Sequence, residues 1–149
     1  MKLGIKVYAI QRTHSNGFCS FSHAEYINFN QYDSALGRLN HIVSFLPKSR
    51  ETKHFFNENF FNKMSRDSFF YNFGRGCCVD ELALSNALYA QQISGALLDV
   101  FQQEPLPQDS ILWNTPNLII MPHISTHYTN YFQEYMIELK QQITAELEK

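Results

Sequence analysis

The stretch SFFYNFGRGCCVDELALSNALYAQQISGALLDV, residues 68–100, decides the fold. Its first six residues, Ser68 to Phe73, are mostly apolar and stop at Gly74-Arg75-Gly76, as a strand closed by a turn does. From Asp80 to about Gln91 the residues Leu82, Leu84, Ala87 and Leu88 recur near helical spacing, and Asp80 stands where a helix cap belongs. Ile93 to Val100 returns to a strand pattern. A strand, a helix and a further strand in this order make the unit from which parallel sheets are built.

The same pattern extends in both directions. Upstream, His41 to Leu46 (HIVSFL) is mostly apolar and ends at Pro47, and Glu58 to Met64 reads as a short helix with Phe60, Phe61 and Met64 apolar. Lys6 to Ile10 (KVYAI) is a short strand followed by the turn-rich stretch Gln11 to Gly17. Phe18 to Gln31 is aromatic and Asn-rich without a clean period, a loop with room for a short helix or strand. Downstream, Leu118 to Met121 (LIIM) is a strand ended by Pro122, and Asn130 to Leu147 reads as an amphipathic helix striped by Tyr131, Phe132, Tyr135, Met136, Leu139, Ile143 and Leu147. Near-continuously apolar strands alternating with helices indicate an α/β, doubly wound parallel sheet with both faces covered.

Composition narrows the function. The chain has 149 residues, a net charge of −2 and interspersed acids and bases, so no electrostatic footprint for nucleic acid or an anionic membrane is present, and a small partner is expected. Cys19, Cys77 and Cys78 lack the spacing of a disulfide framework, which points to a reducing, cytoplasmic compartment. The opening apolar segment is too short for a signal peptide, and no run reaches the length of a membrane span.

In a parallel sheet the carboxyl ends of the strands share one edge, and ligands bind there. Arg75 follows SFFYNF, Asp99 and Glu104 follow ISGALL, and His123 follows LIIM by two residues. A guanidinium holds a carboxylate bidentately, histidine donates and accepts a proton near neutral pH, and a carboxylate against the imidazole sets its tautomer. Arg75, Glu104 and His123 therefore suit reduction of a 2-oxo acid, as substrate fork, imidazole partner and acid/base. Each has a plainer reading: a surface arginine, a lone acid before Pro105, a histidine capping a strand-end turn. His123 and His127 stand four apart without a helix or a third ligand, which argues against zinc. Cys77 and Cys78 read as small hydrophobes under the following helix, and Phe55, Phe56, Phe60 and Phe61 as core.

The runs Asn72-Phe73-Gly74-Arg75-Gly76-Cys77-Cys78-Val79-Asp80-Glu81, Gly95 to Pro107 (GALLDVFQQEPLP), Leu112-Trp113, Pro116-Asn117 and Met121-Pro122-His123-Ile124-Ser125, with Leu46-Pro47 and Glu51-Thr52 upstream, resemble the D-isomer-specific 2-hydroxyacid dehydrogenases. The glyoxylate/hydroxypyruvate reductase branch is the nearest, and the similarity runs from about Leu3 to Ser125. The resemblance implies a Rossmann-like NAD(P)-binding domain in which Arg75 binds substrate, Glu104 supports the histidine and His123 is the acid/base. It also implies that Asp99 meets the nicotinamide carboxamide, with further cofactor contacts at Leu46, Pro47, Phe73, Gly74, His123 and Ser125. Where an acid would bind the ribose of NAD, this chain has Gln11 and Arg12, so NADP is favoured over NAD.

The family's G-x-G-x-x-G loop would fall upstream of Leu3-Gly4 and occurs nowhere in the 149 residues. The expectation is thus a single, truncated NAD(P)-binding domain over 1–149, family-like over 3–125, with a final helix at about 130–147. Its first strand would lie between KVYAI and HIVSFL. Without that strand, either two inner edges stay unpaired or the two strands close on each other, and cofactor affinity drops by several kcal/mol for want of the pyrophosphate anchor. The expected activity is NAD(P)H-dependent reduction of a small 2-oxo acid, weak or absent in the chain alone. A homodimer or a complementing polypeptide is the expected protein partner. The alternatives are a non-catalytic remnant or interaction module, and one half of a split enzyme.

Overall fold

The computed structural model describes residues 4–11, 24–125, 130–131, 133, 136–137, 140–141 and 144. Every strand pairing within it is parallel, as the apolar runs and intervening helices require. β1 (Val7–Gln11) pairs with β2 (Ala24–Asn28). α1 (Asp33–Leu36) follows, and then a four-stranded sheet in the order β3 (His41–Ser44), β4 (Phe69–Asn72), β5 (Gly95–Leu98) and β6 (Leu118–Ile120). α2 (Glu58–Asn62) and α3 (Glu81–Tyr89) are the crossovers from β3 to β4 and from β4 to β5.

α2 and α3 start where side chains satisfy their first N–H groups. The Asn57 side chain accepts from Phe60 N at 3.2 Å, and the Asp80 carboxylate accepts from Ala83 N at 3.0 Å. Both helices belong to one core that includes Phe56, Phe60, Phe61, Phe70, Leu84, Leu88 and Leu98. Phe70 is the hub, with ring centroids 4.8 Å from Phe56 and 5.4 Å from Phe61. The expected aromatic core is therefore present, with Phe55 partly buried against it. Cys78 is buried and Cys77 half-buried.

Two expectations change. First, among the described residues the sheet is covered on one face only. The rows Ile42–Phe70–Ala96 and Ser44–Asn72–Leu98 face α2 and α3, whereas Val43, Phe45, Phe69 and Ile119 on the other face are exposed, Phe45 by 74%. An unbroken apolar run sends alternate residues to opposite faces, and a sheet needs a layer on each side to bury both. Second, Leu82 is 60% exposed, because α3 buries Ala83, Leu84, Ala87 and Leu88 instead. The irregular Phe18 to Gln31 stretch holds the short strand and helical turn it had room for, as β2 and a 3-10 turn over Phe29–Gln31.

Of the two outcomes expected for β1 and β3, the structure has the first: among the described residues they do not pair with each other, and each keeps one inner edge without a strand. The closing helix from Asn130 lies largely outside the described residues; those described between 131 and 144 are helical. Among the described residues no helix is long and apolar enough to cross a membrane.

Candidate active site

The ends of β3, β4, β5 and β6 lie side by side, and hydrogen bonds continue past each strand. Phe73 N donates to Ser44 O, Asp99 N to Asn72 O and Met121 N to Leu98 O, at 3.0, 3.1 and 2.9 Å. Two glycines let these ends touch backbone to backbone. A Cβ on Gly74 would lie 2.6 Å from Leu46 O, and one on Gly76 would lie 1.9 Å from the carbonyl carbon and oxygen of Phe101. Neither φ is left-handed, so it is close approach that demands glycine here.

Arg75 sits between them in extended conformation, exposed, with Nη1 donating to Gly74 O at 2.8 Å. Its turn is braced from beneath by Asn72, which is fully buried. The Asn72 Oδ1 accepts from Gly74 N at 3.2 Å, and its Nδ2 donates to Arg75 O at 3.1 Å. Asn72 was not singled out in the sequence; the signal was a polar amide ending an otherwise apolar strand.

Glu104 and His123 meet directly, His123 Nδ1 to Glu104 Oε2, at 2.8 Å. The other carboxylate oxygen, Oε1, accepts from Phe101 N at 2.9 Å, which sets the plane of the carboxylate. Burial disfavours the charge on Glu104, but the bonds from His123 and Phe101 N and the His123 charge outweigh it and hold its carboxyl below the usual range. An ionised carboxylate only accepts, so Nδ1 carries the proton in this contact and Nε2 is left for chemistry. The side chains are 49% and 37% exposed, so a small molecule can reach the imidazole.

His123 has φ +56, a left-handed conformation that costs a non-glycine residue about 1–3 kcal/mol. What holds it there is Asp99. This carboxylate is fully buried, and its two oxygens accept from Ile124 N at 2.9 Å and Ser125 N at 3.0 Å, fixing the two peptides after the histidine. Burial opposes the charge of Asp99, yet the Ser125 hydroxyl, the two backbone N–H groups and the nearby His123 charge outweigh it and lower its pKa. In this structure, then, Asp99 orients the turn that carries His123.

The remaining sequence-predicted residues fall as follows. Leu46, Pro47, Phe73 and Gly74 line the same strand ends, with the Phe73 ring stacked on Phe45 at 5.9 Å. Ser125 closes the His123 turn. Arg75 shares the edge with Glu104 and His123 but forms no ion pair with either among the described residues. Arg12 and His127 lie outside the described residues. Among the described residues no three His, Cys, Asp or Glu side chains gather as metal ligands.

Comparison with known proteins bears on the fold and the family. The family model described as D-isomer specific 2-hydroxyacid dehydrogenase, NAD binding domain, matches residues 1–125. Glyoxylate/hydroxypyruvate reductase B of Citrobacter koseri is 46% identical over 101 residues, 66% of this chain and 31% of that reductase. Phosphoglycerate dehydrogenase from Lactobacillus plantarum superposes with a TM-score of 0.77 at 35% identity, covering 86% of this chain and 40% of that one. NADPH-dependent glyoxylate/hydroxypyruvate reductase from Sinorhizobium meliloti, in complex with NADP and sulfate, gives 0.77 at 29% identity, covering 95% and 44%. The chain spans about a third of the length of the curated relatives it matches. With the strand-end residues in place and the match spanning most of its length, the chain belongs to the D-isomer-specific 2-hydroxyacid dehydrogenase family.

Proposed function

We propose that this chain supplies the catalytic edge for NAD(P)H-dependent reduction of a small 2-oxo acid, of the glyoxylate or hydroxypyruvate kind. The observation that carries the reading is the His123–Glu104 contact at 2.8 Å, on a turn whose backbone is held by Asp99. NAD(P)H, when bound, supplies the hydride. Nε2 of protonated His123 gives a proton to the forming alkoxide, and Glu104 stabilises the imidazolium that must precede it. Arg75, an exposed guanidinium on the neighbouring strand end, holds the substrate carboxylate.

The nicotinamide end of such a cofactor fits the residues present. Leu46, Pro47 and Phe73 offer an apolar wall, and Asp99, buried beneath it, contributes by holding the turn of His123 and Ser125. Solved relatives hold NADP, and Gln11 at the end of β1 with Arg12 next in sequence favours the 2′-phosphate, so NADP is preferred over NAD. The setting is cytoplasmic, residues 1–125 belong to one nucleotide-binding domain, and a second copy or another polypeptide is its protein partner.

The test follows NADPH oxidation with glyoxylate and with hydroxypyruvate, for the chain alone and for a chimera carrying its residues 24–125 in the Citrobacter koseri reductase. The chain alone turns over slowly or not at all, the chimera turns over, and H123N abolishes the rate. Equal rates for H123N and the parent chimera refute the reading.

A further inference from the structure

We infer that Glu81, at the start of α3, is a positioning residue for the Glu104–His123 pair. It acts through the backbone of the loop that follows β5. Glu81 Oε1 accepts from Gln102 N at 2.7 Å. The adjacent amide, Phe101 N, donates to Glu104 Oε1 at 2.9 Å. Two consecutive N–H groups of one loop are thus taken by carboxylates from different elements. One belongs to α3, and the other goes on to hold His123.

The rest of the contact surface ties the same two segments together. Gln102 Nε2 donates to Val79 O at 3.0 Å, two residues before Glu81, and Gln102 Oε1 lies 3.4 Å from His54 Nε2. Phe101 rests on Gly76 with no room for a side chain between them. The segment 76–81 therefore supports the loop from below through Gly76 and from the side through Glu81. Removing the Glu81 carboxylate frees the 101–102 peptide, and with it the Phe101 Cα, so the Phe101 N–H on the other side of that Cα shifts off Glu104 Oε1.

An acid in the first turn of a helix has a plainer use, since it favours the helix dipole. A dipole partner gains by staying in water, where it remains ionised without penalty. Glu81 is instead half-buried, and burial raises its pKa despite the Gln102 N–H and His54. The carboxylate accepts that desolvation while making a specific 2.7 Å bond to the loop.

The inference rests on the proposed role of His123 only for its effect on turnover, so the primary readout is independent of activity. Ring-nitrogen shifts of His123 in the 15N-labelled full chain, at about pH 8 where an ordinary imidazole is neutral, report which nitrogen carries the proton. The parent chain shows the Nδ1–H tautomer set by Glu104, and E104A defines its loss. E81A moves the shifts most of the way to E104A. E81Q, whose amide oxygen still accepts from Gln102 N, and Q102A, which keeps that N–H, stay near the parent. Parental shifts in E81A overturn the inference, as do equal displacements in E81A and E81Q. If near-UV circular dichroism shows E81A unfolded, E81D, one methylene short of Gln102, carries the same expectation and the same refutation. In the chimera, a displaced tautomer without a loss of rate keeps the positioning role and refutes the acid/base role of His123.

Discussion

Substituting alanine for Gly76 should both destabilise the chain and separate Glu104 from His123. The new Cβ would stand 1.9 Å from the Phe101 carbonyl, against 3.4 Å for ordinary contact. The two segments must therefore part by about 1.5 Å, and a forced overpacking of this kind costs about 1–3 kcal/mol. The obstacle is backbone, so no rotamer change relieves it. The displaced residue, Phe101, also carries the N–H that holds Glu104, and the Glu104–His123 contact is only 2.8 Å. A shift of that size takes it beyond the ~3.2 Å range of a hydrogen bond. The pair is too exposed to add more than about 1 kcal/mol to stability, so most of the loss comes from the collision. Its effect on rate in the chimera is larger, on the order of 100-fold for misplacement by about 1 Å. Urea unfolding measures the first effect and NADPH oxidation the second. Gly37 is the control: it has helical φ −67, and an added Cβ meets only Lys63 O at 3.6 Å, so G37A should gain about 0.4–1 kcal/mol. A parental unfolding midpoint for G76A would refute the argument from close approach.

Asp99 and Glu104 both titrate below their ordinary values when folded, so on acidification the unfolded chain takes up protons first. Their contribution is present above the ordinary carboxylate range and is lost as the pH falls through the lowered folded values. The stability gap between the parent and D99N should accordingly narrow as the pH drops; a gap independent of pH in urea titrations contradicts this. N72L should cost about 1–3 kcal/mol, because it leaves Gly74 N and Arg75 O without their side-chain partner, and a change within ~0.5 kcal/mol would count against that bracing role. On the sheet, F70A should lose about 3–5 kcal/mol and F45S no more than ~0.5, since only the face of Phe70 is covered; similar losses for both would show that Phe45 is buried in solution.

The site was partly legible because parallel topology converts order along the chain into proximity. Arg75, Glu104 and His123 follow successive strands, and the structure places all three at one edge with Glu104 on His123. The role of Asp99 was less legible. A carboxylate at the end of β5 can face a ligand or a neighbouring loop, and only the positions of Ile124 N and Ser125 N, some 25 residues later, show that it holds the His123 turn. Asn72 and Glu81 went unread for a similar reason: an amide or acid in a motif does not reveal which backbone groups it will meet.

Strand and helix positions, the Asp80 cap and the parallel class were present in the chain itself, because apolar period and capping chemistry act over a few residues. Burial on one sheet face, the exposure of Leu82, and the backbone contact of Gly76 with Phe101 were decided by tertiary structure. A local pattern tells which residues can be buried, but the layers that bury them and the loops that meet are assembled from segments distant in sequence.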